Sequence, residues 1–156
     1  MPAEAVQPAI DASGILFPRV DGFVLTAATW FSTKWSHYQR PGSVLVRLTS
    51  GRAGDDRAAT MSDDQLADTL LEELASVLTI TSEPSAIRVK RWPSSFPQYT
   101  LGHRQRIGRV QSLLSTDEAG NRPVVLAGAA YDGIGLPACI RTGRVAAQKL
   151  LDRNLP

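Results

Sequence analysis

The chain has 156 residues, a formal net charge of +2 and 43% hydrophobic residues, which is typical of a globular domain large enough to bury a core. Its small, dispersed charge argues against a nucleic-acid partner but leaves anionic small molecules open. Cys139 is the only cysteine, which excludes an internal disulfide and a cysteine-based zinc site, and it is predicted to be a small buried side chain. No segment has the roughly 20 apolar residues of a membrane span, and the N-terminus lacks the features of a signal peptide, so a cytoplasmic protein is predicted.

The first half of the chain is predicted to begin with antiparallel strands. Two of them cover residues 15–18 and 23–30, and the Asp21-Gly22 pair between them is typical of a hairpin. A polar and aromatic loop over residues 31–42 leads to a third strand at residues 43–50. Three antiparallel strands are therefore expected first.

A capped helix follows a glycine-rich turn at residues 51–56. Ser62 and Gln65 match a capping box, in which each side chain accepts a hydrogen bond from an otherwise free N–H group, and the helix is predicted over residues 63–78. Apolar residues recur at helical spacing and are predicted to form its buried face: Leu66, Leu70, Leu74, Val77 and Leu78.

The next segment alternates in polarity and then becomes helical. Residues 85–92 are predicted to form a half-buried strand, and the two prolines in residues 93–99 end it. A second helix is predicted over residues 103–114, and residues 116–122 are a polar turn. This helix is predicted to bury Ile107, Val110 and Leu114 and to expose Arg104, Arg106 and Arg109.

The C-terminal part combines an apolar run, a glycine turn and a helix. Residues 124–130 are uninterrupted by polar residues, which predicts a strand buried on both faces of a sheet. Pro137 suits the first turn of a helix predicted over residues 137–151. That helix is predicted to bury Ile140, Ala147, Leu150 and Leu151 and to expose Arg141, Arg144 and Lys149.

The turn before this helix offers a ligand-binding arrangement. Small residues there let an anionic or polar ligand approach unpaired N–H groups and the positive end of the helix dipole. Gly133, Gly135 and Ala138 match the spacing of the dinucleotide fingerprint, but only residues 152–156 follow the helix, so the second strand that the fingerprint needs is not expected. The turn is predicted to cap a cofactor held elsewhere, or simply to join a core strand to a packed helix.

Several motifs together closely resemble the C-terminal third of the protoporphyrinogen oxidases. The likeness is carried by residues 91–92, 96–103, 126–128, 131–140 and 143–147. Upstream, Thr29-Trp30, Lys34-Trp35, residues 51–55 and the capped helix are similar to the Gram-positive branch of the family, which oxidises coproporphyrinogen III. Members of this family begin with a true nucleotide-binding unit and are about three times longer, so the resemblance implies a C-terminal fragment that is inactive alone.

The resemblance also implies a cofactor and its contacts. FAD is the expected cofactor, with Ile134, Gly135 and Leu136 matching positions whose backbone lies along the flavin. Gly133 and Gly135 permit close approach, and Trp92 matches a position near the isoalloxazine ring. In such enzymes hydride passes from a porphyrinogen, here coproporphyrinogen III or protoporphyrinogen IX, to the flavin, and oxygen is the acceptor in a step of haem biosynthesis. No catalytic residue and no metal are assigned.

The fold class implied is mixed α/β: antiparallel strands of a substrate domain, followed by the terminal strand and helix of a Rossmann-like FAD-binding domain. Residues 1–12 are expected to be a disordered lead-in, residues 13–92 to belong to the substrate domain, and residues 93–156 to complete the FAD-binding domain with a missing N-terminal segment of the same protein.

Two other functions remain open. One is a flavin amine oxidase with another substrate, and the other is a stand-alone, non-catalytic interaction domain. The choice between the two porphyrinogens, peripheral membrane contact and the oligomeric state also stay undecided.

Overall fold

The computed structural model describes residues 1–7, 11–115 and 124–153. The chain divides into two compact units between Lys90 and Arg91. The assignment of residues 13–92 to a substrate domain and of residues 93–156 to an FAD-binding domain stays a prediction. The turn predicted at residues 116–122 lies outside the described residues. None of the helices in the described ranges is long and apolar enough to cross a membrane.

The first unit contains a three-stranded antiparallel sheet, as predicted. Its strands are β2 (Gly14–Leu16), β3 (Leu25–Trp30) and β4 (Val46–Ser50), in the order β2-β3-β4. The register shifts between Leu25 and Ala27, which is the mark of a bulge. Because a bulge inserts one residue, Leu25 and Ala28 both reach the buried face although three positions separate them.

The predicted hairpin joins β2 to β3 through a 3-10 helix at Arg19–Asp21. Gly22 ends this turn with a φ of 75°, in the left-handed region that favours glycine. The Asp-Gly signal in the sequence therefore marks the reversal of the chain correctly.

The capped helix is α3 (Asp63–Ala75), and the predicted capping box is confirmed. The Gln65 N–H donates to Ser62 Oγ at 3.2 Å, and the Ser62 N–H donates to Gln65 Oε1 at 2.9 Å. The helix ends at Ala75 instead of residue 78. Val77, predicted to be buried, is exposed because it lies beyond the helix end and is no longer on the inward face.

One face of the sheet packs on α3 to form the core of the first unit. The buried members of this core are Val6, Phe17, Val24, Leu25, Ala28, Trp30, Leu66, Leu70 and Leu74. The helical face predicted from spacing supplies three of them, so periodicity located this half of the core correctly.

The disordered lead-in predicted for residues 1–12 is wrong for residues 1–7. A 3-10 helix covers Ala3–Ala5, and β1 (Val6–Gln7) pairs antiparallel with β5 (Thr79–Ile80), which the sequence did not predict. Val6 is buried in the core. A two-residue strand has no readable period, and its partner lies far along the chain, so only the fold reveals it.

The loop predicted at residues 31–42 contains short helices. These are α1 (Phe31–Lys34) and a 3-10 helix at Ser36–Tyr38. Their rings cluster, with centroid distances of 4.8 Å between Phe31 and Trp35 and 5.2 Å between Phe31 and Tyr38. Ring packing therefore orders a segment whose polar composition indicated a loop.

A further short helix, α2 (Arg57–Thr60), follows the turn at residues 51–56. Within that turn Arg52 donates to the carbonyl of Phe17 at 2.6 Å and to that of Leu25 at 3.2 Å. Arg52 thus ties the turn to both strands of the hairpin.

Glu73 on α3 holds the start of β3. Its carboxylate accepts hydrogen bonds from the N–H of Val24 at 2.9 Å and of Leu25 at 2.7 Å. One carboxylate thus accepts from two successive backbone N–H groups and satisfies both of them.

Replacing Glu73 with glutamine is expected to lower the free energy of unfolding by about 1.5–3 kcal/mol, because one acceptor and the charge on the other are lost. Urea denaturation of the chain measures this. The matched control is Glu72→Gln, whose side chain is exposed, with an expected change within about 0.5 kcal/mol. Equal effects of the two substitutions would contradict the role given to Glu73.

Asp55, in the turn at residues 51–56, forms a two-point ion pair with Arg57, the first residue of α2. Nη2 of Arg57 lies 2.7 Å from Oδ2 of Asp55, and Nε of Arg57 lies 2.9 Å from Oδ1 of Asp55. Hydrogen bonds from the Arg57 side chain and backbone N–H lower the pKa of Asp55 from 3.8 to about 2. Because the folded pKa lies below the unfolded one, the stabilisation by this pair is present above about pH 4 and is lost as the pH falls through about 2.

Arg57→Gln is expected to raise the pKa of Asp55 part of the way back towards 3.8, since the side-chain hydrogen bonds and the charge of the guanidinium are removed while the backbone N–H of residue 57 remains. An NMR titration of the side-chain carboxyl carbon measures the pKa. Arg40→Gln serves as the control, because the Arg40 side chain donates to the carbonyl of its neighbour Gln39 and takes no part in the Asp55–Arg57 ion pair. An unchanged pKa in the Arg57 variant would show that another group holds the carboxylate.

The second unit contains two long helices, α4 (His103–Ser115) and α5 (Leu136–Arg153), as predicted. The strands predicted at residues 85–92 and 124–130 are wrong: neither segment pairs with another strand in the described part of the chain. Val124 is 55% exposed instead of buried. An extended segment becomes a strand only beside a hydrogen-bonding neighbour, which apolar composition alone cannot supply.

The buried faces of both helices differ from the prediction. On α5, Ile140 is 62% exposed and Leu151 and Ala147 are also exposed, while Thr142 and Ala146 are buried and Leu150 is half-buried. On α4, Ile107 and Leu114 are half-buried, but Val110 is exposed. The six basic residues predicted to be exposed are exposed: Arg104, Arg106 and Arg109 on α4, and Arg141, Arg144 and Lys149 on α5. The small residues Ala138 and Thr142 of α5 lie against the turn that precedes the helix. The large apolar side chains of Ile140 and Leu151 are exposed instead.

Candidate functional site

The turn that precedes α5 is built on two glycines in left-handed conformations. Gly128 and Gly133 both have a φ of 103°, and the Tyr131 N–H donates to the carbonyl of Gly128 at 3.1 Å. A Cβ on Gly133 would lie 2.6 Å from the Cβ of Ala138. Gly133 is therefore required both by its backbone conformation and by the close packing of the helix.

Gly135 differs from Gly133. Its φ lies outside the left-handed region, and an added Cβ would meet only Pro137 Cδ, at an ordinary 3.7 Å. Gly135 is exposed. The packing of the described chain gives no reason for glycine at this position, which leaves room for a ligand to approach the backbone.

The N-terminus of α5 presents free backbone donors beside this room. The first hydrogen bond of the helix is donated by the Cys139 N–H to the carbonyl of Gly135, at 3.0 Å. The N–H groups of Ile134, Gly135 and Leu136 donate no hydrogen bond within residues 1–7, 11–115 and 124–153. These donors lie at the positive end of the helix dipole, which favours negative charge on a ligand.

Tyr99 holds the turn from the side of the proline-rich loop. Its hydroxyl accepts a hydrogen bond from the Gly133 N–H at 2.8 Å and donates one to the carbonyl of Ala129 at 2.5 Å. One hydroxyl therefore connects both ends of the segment 129–133.

His103, the first residue of α4, supports this contact. Its ring stacks on Tyr99 with centroids 3.9 Å apart and an interplanar angle of 10°, and its Nε2 lies 3.0 Å from the carbonyl of Tyr131. Because a carbonyl only accepts, Nε2 carries a proton. We name this pair the Tyr99–His103 clamp.

α5 holds the turn from the other side. The buried Thr142 Oγ1 accepts from the Gly128 N–H and donates to the carbonyl of Cys139, both at 3.0 Å. Arg141 forms an ion pair with Asp132 at 2.9 Å. The turn is thus fixed by side chains from both helices.

Four of the five predicted cofactor-binding residues lie together in the structure, and no hydrogen bond joins the fifth, Trp92, to them in the described part of the chain. Gly133, Ile134, Gly135 and Leu136 form one continuous, largely exposed segment at the helix N-terminus. Trp92 is 71% exposed and makes no hydrogen bond, ring contact or cation–π contact with the described residues. The cofactor contacts expected of Trp92 and of residues 133–136 all stay predictions.

Sequence reasoning assigned no role to the residues that hold the turn. Tyr99 and His103 lay within a recognised motif, but Tyr99 precedes the helix that His103 begins, so no local spacing indicated a stacked pair. Thr142 and Arg141 gave no signal beyond helical periodicity. Cys139 is half-buried, with its sulfur 3.8 Å and 3.7 Å from the carbonyl oxygens of Gly133 and Ile134, which fits the structural role predicted for it.

Residues 9–151 match the family model described as flavin containing amine oxidoreductase. The chain belongs to this family. The flavin-containing amine oxidoreductases take their chemistry from a flavin, and the turn fits such a group, since Gly135 is not needed by the fold and free donors lie beside it. Within the described residues, no group of acidic, histidine or cysteine side chains can hold a metal ion.

Individual relatives confirm the resemblance to the porphyrinogen oxidases. Coproporphyrinogen III oxidase of Bacillus subtilis (strain 168) is 36% identical over 150 residues, which cover 96% of this chain and 31% of the relative. Protoporphyrinogen oxidase of Bos taurus is 34% identical over 114 residues, which cover 71% of this chain and 23% of the relative. The chain thus spans less than a third of the length of these relatives.

A solved structure supports the fold class. A crystal structure from Exiguobacterium sp. 255-15, assigned as a protoporphyrinogen oxidase, superposes with a TM-score of 0.75 at 32% identity. The superposed region covers 92% of this chain and 31% of the Exiguobacterium chain. The mixed α/β architecture predicted from the sequence is therefore confirmed.

Proposed function

We propose that this chain is the C-terminal part of an FAD-dependent porphyrinogen oxidase of haem biosynthesis, with coproporphyrinogen III as the substrate and oxygen as the acceptor. The observation that carries the proposal is the match of 96% of the chain to a relative named coproporphyrinogen III oxidase. The bovine protoporphyrinogen oxidase matches less of the chain, which favours the first substrate over the second.

In this proposal the chain supplies the backbone against which the flavin lies. The free N–H groups of Ile134, Gly135 and Leu136 would face the flavin ring, and the dipole of α5 would stabilise the negative charge of the reduced ring. Gly133 shapes the turn, and Trp92 would lie near the ring. The chemistry that a bound flavin would supply is hydride acceptance from the porphyrinogen and electron transfer to oxygen. The residues of this chain orient the ring and exclude water, so no acid–base pair is required of them.

Exposed apolar side chains of the second unit support the proposal that a further part of the protein covers them. Leu101, Val124, Leu136, Ile140 and Leu151 are all more than half exposed. Residues 124–127 have the composition of a buried strand yet pair with no strand among the described residues. The proposed occupant is the N-terminal part of the same FAD-binding domain, whose parallel strands would pair with this segment and cover these side chains.

The experiment begins with the DNA upstream of Met1, read for an in-frame segment that encodes a strand, a dinucleotide fingerprint and a helix. The full-length protein is then purified and tested for bound FAD and for conversion of coproporphyrinogen III to the fluorescent porphyrin, with release of hydrogen peroxide. As a parallel test, residues 1–156 replace the matching part of the Bacillus subtilis enzyme. Yellow, active proteins are the expected result, and a chimera that folds but does not bind FAD would oppose the proposal.

Two outcomes would favour the other functions. Turnover of an amine, with no turnover of either porphyrinogen, would assign the protein to another branch of its family. A chain that is monodisperse alone, unfolds in one sharp thermal transition and ignores FAD would favour a stand-alone interaction domain. We expect instead that the isolated chain is marginally stable, because its apolar C-terminal segment is uncovered.

A further inference from the structure

The hydroxyl of Tyr99 closes the turn that carries the proposed flavin contact. It binds the carbonyl of Ala129 and the N–H of Gly133, two backbone groups at opposite ends of the segment 129–133. Within the described residues, the backbone hydrogen bond that forms inside this turn runs from the Tyr131 N–H to the carbonyl of Gly128, and it does not include Gly133. The conformation of Gly133 therefore depends on a side chain from a different part of the second unit.

The phenol that makes this bridge is itself held in place. His103 stacks flat on the Tyr99 ring and contacts the carbonyl of Tyr131. Arg106 fixes the loop that carries Tyr99, since its Nη2 donates to Thr100 Oγ1 at 2.7 Å. Rotation of the phenol away from the turn would break the stacking and both hydrogen bonds of its hydroxyl, so the bridge is rigid.

Gly133 directly precedes the free N–H groups of residues 134–136. A change in its backbone angles rotates the next peptide planes and so redirects these donors. We propose that Tyr99 is a positioning residue: through Gly133 it aims the backbone donors of residues 134–136 at the flavin, with His103 holding Tyr99. The inference rests on the proposed function, because it assumes that a flavin lies against this segment.

Tyr99→Phe in the full-length, FAD-loaded protein tests the inference, since it removes the hydroxyl and keeps the ring stacked on His103. FAD affinity is expected to fall roughly tenfold, because two hydrogen bonds of the bridge are lost. The N–H groups of residues 134–136 would favour the reduced, negatively charged flavin. The affinity of the protein for the reduced flavin should therefore fall more than its affinity for the oxidised flavin. Each tenfold difference between the two lowers the two-electron reduction potential by about 30 mV.

Tyr38→Phe is the matched control, because its hydroxyl makes no hydrogen bond with the described residues and lies in the first unit. It should leave the FAD affinity, the visible spectrum and the potential unchanged. Thermal unfolding of each variant checks that the fold is intact. A Tyr99→Phe protein that folds and retains the wild-type affinity and potential would overturn the inference while leaving the proposed function standing.

His103→Phe is the second variant, and it keeps a stacked ring but loses the contact with the carbonyl of Tyr131. A smaller loss of FAD affinity is expected than for Tyr99→Phe. Because both side chains hold one turn, the double variant should lose less affinity than the product of the two single losses. Independent effects that multiply would contradict a shared clamp. A wild-type full-length protein that binds no flavin would instead refute the proposed function, whatever the variants do.

Discussion

Gly133→Ala is expected to lower the FAD affinity of the full-length protein roughly tenfold to a hundredfold, or about 1.4–2.8 kcal/mol. Alanine at a φ of 103° is strained, and its Cβ would lie 2.6 Å from that of Ala138. The turn must therefore shift, and the donors of residues 134–136 shift with it. Titration of the apoprotein with FAD, followed by flavin fluorescence, measures the affinity.

Two other glycine substitutions separate strain in the fold from contact with the ligand. Gly135→Ala should leave the stability unchanged and still weaken FAD binding, because its Cβ enters the space assigned to the ligand and not that of the chain. Gly143→Ala is the control on α5: nothing lies within 4 Å of the added Cβ, so it should stabilise the helix by up to about 1 kcal/mol and leave binding unchanged. Wild-type affinity in both the Gly133 and Gly135 variants would remove this turn from the flavin site.

Leu25→Ala is expected to destabilise the first unit by about 2–5 kcal/mol, because it leaves a cavity at the centre of the core. Leu25 is fully buried at 0% exposure, beside the bulge of β3 and against α3. Urea unfolding, followed by the fluorescence of the buried Trp30, measures the loss.

Leu16→Ala is the matched control for this substitution. Leu16 lies on the adjacent strand β2 but is 82% exposed, so its loss should change the free energy of unfolding by no more than about 0.5 kcal/mol. A similar loss in both variants would mean that the core does not lie between β3 and α3.

The parts of the fold that were predicted correctly depend on neighbours in the sequence. The capping box of Ser62 and Gln65, the Asp21-Gly22 reversal and the periodic helices each arise from contacts within a few residues. Such contacts form in the same way wherever the segment lies, so a local pattern is sufficient to predict them.

Several of the predictions that were wrong needed knowledge of a distant partner. Residues 124–130 have the composition of a strand, but pairing decides whether a strand forms. Val6 lies in a strand of two residues, which is too short to show a hydrophobic pattern, yet this strand pairs with Ile80 and Val6 is buried. Ile140 lies on an apolar stripe of α5 but is exposed, while Thr142 and Ala146 are buried, and Thr142 binds Gly128 of the adjacent turn.

The candidate site divides in the same way. The sequence alone determined the glycine segment 133–136, the helix behind it and the family resemblance, because composition and short spacing carry them. Only the tertiary structure decided that Gly133 is fixed by its fold while Gly135 is not, and that one hydroxyl of Tyr99 bridges Ala129 and Gly133. The physical reason is that the hydroxyl of Tyr99 and its partners lie about 30 residues apart in the chain and meet only when it folds. The steric room at Gly133 likewise depends on how closely the folded turn approaches Ala138.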